Sequence, residues 1–229
     1  MAENIMYQKA YNPSDTATIE FAIQPPEKVI NGTEDADELW TETGSTRPQV
    51  VNGFGGEDFL YGYAAFDTLN GGDGNDTLEL YGLDSKANGG GGNDEIYLYG
   101  AGGKVNGGAG ADAIHLNGGE ATLLYGSLED SKANNLSPQA ATTASVTWDT
   151  IFGINDTDTI DLSALGEIEW ASEASSSTSA LAYMDVKYGQ PSRFWLDSDR
   201  DGDYDFGIAF ESSMVSETVH FRGLSDWHL

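Results

Sequence analysis

Glycine stands at positions 53, 71, 89 and 107, each 18 residues after the last, and an aspartate follows 5 residues behind each: Asp58, Asp76, Asp94 and Asp112. Two residues further on comes an apolar side chain, Leu60, Leu78, Ile96 or Ile114. A second apolar series, Val51, Leu69, Ala87, Val105 and Leu123, keeps the same interval 9 residues out of phase. Asn52, Asn70, Asn88 and Asn106 keep it too. An earlier copy, from Gly32 to Trp40, lies 21 residues ahead of the next, and the additional residues fall within Thr41–Gln49, where Gly44 and Pro48 suit a bulging loop. A flexible glycine linker has no reason to hold its apolar residues in phase, so this spacing argues for a folded repeat.

A nine-residue unit with one apolar residue buries nothing alone. Two units per coil give two turns and two short strands, with both apolar series facing inward once coils stack. The expected fold class is therefore all-β, a parallel β-roll. Parallel strands of successive coils lie about 4.8 Å apart, which sets like residues in columns. At an effective dielectric of about 20, neighbouring aspartates in such a column repel by roughly 3 kcal/mol. Either they hold protons or a hard cation sits between the turns. Turn glycines leave carbonyls free to face inward, and oxygen-only ligation of that kind suits calcium.

Three copies, "GGDGNDTLE", "GGGGNDEIY" and "GGAGADAIH", match the pattern G-G-x-G-x-D-x-U-x in full. "GFGGEDFLY" and "GTEDADELW" are degraded, with Phe54 and Thr33 at the second glycine and Asp35 at the fourth position. The repeat resembles the RTX, or hemolysin-type, calcium-binding family. That resemblance implies ions between same-side turns, held by the aspartates and by carbonyls of the first four turn positions. Carried over, the best sites lie between Gly71, Gly72, Asp73, Gly74, Asp76 and Gly89, Gly90, Gly91, Gly92, Asp94, and between that turn and Gly107, Gly108, Ala109, Gly110, Asp112. A third joins Asp58, with the weaker positions Gly53, Gly55 and Gly56, to the turn at 71–76. Asp37 is the weakest because of the insertion. On the opposite edge only Asp67 occupies the ligand position, so calcium is expected along one edge. There Tyr63, Tyr81 and Tyr99 recur every 18 residues, beside Leu80, Leu98 and Leu116. Packing of this stripe against the terminal segments is the favoured expectation; an aromatic contact surface for a partner or glycan is the alternative.

Residues 1–28 read as an N-terminal strand and cap, on the alternation from Thr16 to Ile23. The roll is expected over 29–126, a linker or loop over 127–147, and a β-rich cap over 148–229. "DTIFGINDTDTIDLSAL" and "FWLDSDRDGDYDFGIAF" resemble the C-terminal region of serralysin-type secreted metalloproteases. The resemblance implies a capping segment with a type I secretion signal, and Asp226-Trp227-His228-Leu229 resembles the acidic-plus-hydrophobic end of such exported proteins. Asp197, Asp199, Asp201 and Asp205 fall at positions 1, 3, 5 and 9 of an EF-hand-like loop with Gly202 at its sharp turn. Ile208 stands where the bidentate glutamate belongs, so a calcium loop and a solvated acidic hairpin are both open readings.

With 38 acids against 10 bases the net charge is -28, which opposes contact with nucleic acid or anionic membrane. It also makes the folded chain repel itself unless cations neutralise part of it, although solubility or a halophilic habit is a simpler reading. There is no cysteine, hence no disulfide, thiolate ligand or thiol nucleophile. No apolar run approaches the ~18 residues of a membrane helix, and the acidic start is no Sec signal. Neither HExxH nor GxSxG occurs, and His115, His220 and His228 are too scattered for a zinc site. The expectation is a secreted, non-catalytic calcium-binding protein that leaves through type I machinery and folds on meeting extracellular calcium. One alternative is a surface or adhesion protein using the roll as a scaffold for glycan or cell contact. Another is the non-catalytic C-terminal module of a larger secreted hydrolase, against which Met1 and the unrelated N-terminal strand speak.

Overall fold

The structure is a computed structural model and describes residues 28–136, 148–170, 180–187, 190–211, 218–224 and 227–228. The expected N-terminal strand therefore lies outside the described residues.

Strand alternation places one apolar series on each of two facing sheets. Leu60, Leu78, Ile96 and Ile114 lie in β4 (Phe59–Gly62), β6 (Thr77–Leu80), β8 (Glu95–Leu98) and β10 (Ala113–Leu116), paired in parallel and in register. Val51, Leu69, Ala87, Val105 and Leu123 do the same in β3 (Gln49–Gly55), β5 (Thr68–Asp73), β7 (Lys86–Gly91), β9 (Lys104–Ala109) and β11 (Thr122–Leu124). Both series are buried, as are Leu80, Leu98 and Leu116. The first coil, β1 (Lys28–Asn31) and β2 (Glu38–Trp40), joins with the longer step, Ile30 opposite Val51 and Leu39 opposite Leu60. This is the expected parallel β-roll.

The roll does not stop at 126. In β13 (Asp149–Phe152) Ile151 pairs in parallel with Ile114, and in β14 (Thr159–Asp161) Ile160 pairs with Leu123. The segment 148–161 is thus a further coil, inserted after a detour, rather than the start of a separate cap. The detour itself is not all loop. Ser127 and Asp130 cap each other's backbone at a 3-10 turn, Leu128–Ser131, and β12 (Lys132–Leu136) follows it, antiparallel to β18 (Tyr204–Glu211). Beyond the extra coil the parallel pattern gives way. β18 runs parallel to β13 on one side and antiparallel to β17 (Gln190–Asp197) on the other, with β16 (Ala180–Lys187) and β15 (Ile168–Trp170) outermost. β19 (Thr218–Arg222) extends the second sheet from β14. Phe194, Phe206, Ile208 and Phe221 share one continuous core with Val51 and Leu60.

The tyrosine stripe forms a ladder of stacked rings. Tyr63, Tyr81 and Tyr99 remain 40–45% exposed and stack on one another, with centroids 5.4 and 4.8 Å apart; residues 1–27, the N-terminal segment expected against this stripe, lie outside the described residues. Tyr61, Tyr97, His115 and Phe152 extend the array to seven rings. Parallel strand spacing produces the stacks between coils, since like residues of successive coils are neighbours, while Tyr61–Tyr63 and Tyr97–Tyr99 stack within one coil. The hydroxyls of Tyr81 and Tyr97 donate to Glu79 and Glu95, each at 2.5 Å.

Candidate metal centre

Each aspartate of the column sits just before an inward strand residue, so its side chain lies against the neighbouring coil. One oxygen, Oδ1, accepts the N–H of the aspartate one coil earlier. Asp37 donates to Asp58, Asp58 to Asp76, Asp76 to Asp94 and Asp94 to Asp112, each at 2.8 Å. Asp112 then donates to Asp149 at 2.9 Å. These bonds pin the carboxylates in place along the roll. The other oxygen, Oδ2, is buried without a hydrogen-bond partner in Asp58, Asp76, Asp94, Asp112 and Asp149. A buried carboxylate oxygen left so is costly.

Glycine explains where those oxygens can sit. A Cβ added to Gly89 would lie 2.2 Å from Asp94 Oδ2 and 2.3 Å from the Gly107 carbonyl oxygen. At Gly71 the same two distances, to Asp76 and Gly89, are 2.3 and 2.5 Å, and at Gly53, to Asp58 and Gly71, 2.1 and 2.6 Å. The missing side chain thus lets a carboxylate oxygen and a carbonyl of the next coil converge. The donor set is oxygen only, anionic and already stacked at backbone spacing, which fits a hard divalent cation. Gly72, Gly74, Gly90, Gly92, Gly108 and Gly110 serve the turn itself, with φ between 100° and 153°. Phe54, at the second-glycine position of its degraded copy, is held at φ 81°, a strained conformation for a residue with a side chain. Asp73 lies exposed at the turn, and Gly55, Gly56, Gly91 and Ala109 occupy the turn positions the repeat assigns them.

Without a cation the column favours protons. Burial pushes the Asp94 carboxyl up to about 7, with repulsion from Asp76 adding and the backbone hydrogen bond opposing. Burial likewise raises Asp58, Asp76, Asp112 and Asp149.

Asp37 differs. Its Oδ2 accepts from the Thr33 N–H at 2.6 Å and the Thr33 hydroxyl at 2.9 Å, so the threonine that replaced a glycine satisfies the oxygen that a cation would otherwise hold. The opposite edge is also self-sufficient. Asp67 accepts from Gln49 N–H, Thr41 Oγ1 and Ala64 N–H, and Asp158 accepts from the N–H groups of Ala121 and Asn155. Among the described residues, the unpartnered carboxylate oxygens lie on one edge only.

The acidic loop is assembled in part. Carboxylate oxygens of Asp197, Asp199 and Asp205 come within 4.8 Å of one another; Asp201 stands outside that group. The loop closes on its own hydrogen bonds. Asp197 accepts from the N–H groups of Arg200 and Gly202, Asp205 from Ser198, and Asp201 from Asp203.

Sequence reasoning missed Asp149. Its signal was present: Asp149-x-Ile151 and Asp158-x-Ile160 repeat at 9 residues, the half-period of the roll. The residue that the 18-residue step designates is Asp130. It caps the 3-10 turn instead, accepting from Gly126 and Ser127, and Asp149 takes the place in the column.

Among the solved structures similar to the chain are two subunits of one enzyme. One is the solution structure of the AlgE6R2 subunit from the Azotobacter vinelandii mannuronan C5-epimerase, 22% identical, covering 84% of this chain and 87% of that chain at a TM-score of 0.35. The other, the AlgE6R3 subunit of the same epimerase, is 25% identical and covers 79% of this chain and 72% of that chain at a TM-score of 0.30. No protein-family model matches the chain, and no curated protein sequence does.

Proposed function

We propose that the chain is a secreted, non-catalytic calcium-binding module whose roll folds when it binds extracellular calcium. The observation that carries this is the row of buried, unpartnered carboxylate oxygens facing carbonyls across glycine positions. A divalent cation between coils answers both the orphaned oxygens and the repulsion along the column. Calcium suits the site better than magnesium, because ligands set by backbone stacking cannot all move to the tight octahedron that magnesium demands. Sites of this kind in extracellular modules bind in the roughly 10⁻⁴–10⁻³ M range, so a cell interior poor in calcium would leave the chain unfolded and able to pass an export channel. Export through type I machinery rests on the resemblance of the repeat and the tail. The non-catalytic reading rests on the column, whose aspartates are each committed to backbone and cation.

Equilibrium dialysis of the full chain against calcium is the test. At least three ions per chain are expected, one for each pair of turns among 53–58, 71–76, 89–94 and 107–112, all removed by chelator. A chain that takes up none would overturn the proposal.

A further inference from the structure

We infer that Asp149 and Asp112 hold a further cation at the junction between the repeat coils and the C-terminal sheet, a site the repeat motif does not contain. The inference rests on the calcium reading of the column and extends it past the last glycine-rich turn. Asp149 is 0% exposed and its Oδ2 has no hydrogen-bond partner; Asp112, 2% exposed, is in the same state. The two residues are neighbours in the column, the Asp112 N–H donating to Asp149 Oδ1. The Tyr125 hydroxyl is buried beside Asp149, close enough to act on it as a hydrogen-bonding neighbour, yet it falls short of a well-formed hydrogen bond. Asp130, committed to its own turn, adds a further negative charge nearby. Two buried carboxylate oxygens without a hydrogen-bond partner thus belong to adjacent members of the column, with a phenol oxygen beside one of them. That is hard-donor chemistry, suited to a divalent cation such as calcium.

The surroundings make this level a junction. Tyr125 occupies the place one step after Gly107, so an aromatic ring, packed edge-on against Phe206 with centroids 5.1 Å apart, roofs the column where a glycine would leave it open. Asp149 arrives only after the detour, and its N–H is fixed by Ser131 Oγ at 2.7 Å, whose own hydroxyl bonds the Gly207 carbonyl. β13 lies between β10 of the roll and β18 of the C-terminal sheet. A cation here would tie together three parts of the chain that are distant in sequence. Docking of the C-terminal sheet then becomes dependent on calcium, although its own strands carry no repeat. Trp148, next to Asp149 and packed edge-on against Trp195 at 4.7 Å, reports that docking.

The competing arrangement is a protonated Asp149 hydrogen-bonded to Tyr125 with no ion. Asp149→Asn separates the two. Calcium bound per chain is counted by equilibrium dialysis for the unsubstituted chain and the variant, with near-ultraviolet circular dichroism following the Trp148–Trp195 pair. The inference expects one ion fewer in the variant and a tryptophan signal that no longer saturates at the calcium level sufficient for the unsubstituted chain. An unchanged count overturns it while leaving the roll sites standing. No uptake by the unsubstituted chain overturns both. A crystal of the unsubstituted chain grown in calcium decides the matter even if the variant fails to fold. An ion held by Asp112 and Asp149 is expected; a direct Asp149–Tyr125 hydrogen bond without one contradicts the site.

Discussion

Asp94→Asn is expected to raise the calcium concentration for half-maximal folding at neutral pH at least about tenfold, which corresponds to about 1.4 kcal/mol or more. Asp94 stands mid-column, and its Oδ2 lies at the glycine cradle shared with the next coil. An amide in its place keeps the Oδ1 hydrogen bond to Asp76 but offers neither charge nor a second oxygen. In chelator the direction of the charge effect reverses. The folded-state pKa of Asp94 is raised from the ordinary 3.8 to about 7, so protonation favours the folded form. That contribution is complete below the ordinary value and is lost as pH rises through about 7. Acid should therefore stabilise the calcium-free fold, and the variant, neutral at every pH, should lose part of that dependence. Far-ultraviolet circular dichroism across this pH range, in chelator and in calcium, reads both effects. A variant with unchanged calcium dependence would remove Asp94 from the site.

Gly89→Ala is expected to be at least as damaging, costing about 3 kcal/mol or more in saturating calcium. Gly89 does not have a left-handed backbone, so alanine is not excluded by conformation. Its Cβ would instead lie 2.2 Å from Asp94 Oδ2 and 2.3 Å from the Gly107 carbonyl, filling the space where the cation ligands meet. Neither neighbour can withdraw, because the carboxylate is pinned by Asp76 and the carbonyl belongs to a stacked turn. Overpacking alone costs about 1–3 kcal/mol, and a displaced cation adds to it. Gly44→Ala is the control: Gly44 has φ 73° with nothing within 4 Å of its added Cβ, and about 1 kcal/mol of backbone strain is expected. Urea unfolding in calcium compares the two. If both variants lose the same small amount, the cradle is looser than its geometry indicates.

The two apolar series and the aspartate column were legible because a solenoid's stacking writes its period directly into the chain. Leu78 and Ile96 or Asp76 and Asp94 are spatial neighbours for the same reason that they are 18 residues apart. The extra coil was harder to see. It obeys the half-period between Asp149 and Asp158, but the detour breaks the step from the preceding coil, and Asp130 occupies the numerically correct position. Which aspartate enters the column is decided by the capping of the 3-10 turn at Ser127 and the antiparallel pairing of β12 with β18, long-range choices that periodicity does not encode. The tyrosine stripe shows a different limit. Its spacing was plain, whereas its packing partner, the same residue one coil away, follows only once the strands are known to be in register. At Asp37 the substitution of Thr33 for glycine was visible, but its consequence, a hydroxyl and an N–H satisfying the carboxylate, required the geometry.

Far-ultraviolet circular dichroism of the full chain at neutral pH, first in excess chelator and then with calcium added back, shows whether the roll needs its cations to fold. No stable strand spectrum is expected in chelator, and a β spectrum should return on addition of calcium, with magnesium at the same concentration failing to restore it. An identical β spectrum in chelator and in calcium would contradict this expectation, because the buried carboxylate column would then be stable without its cations.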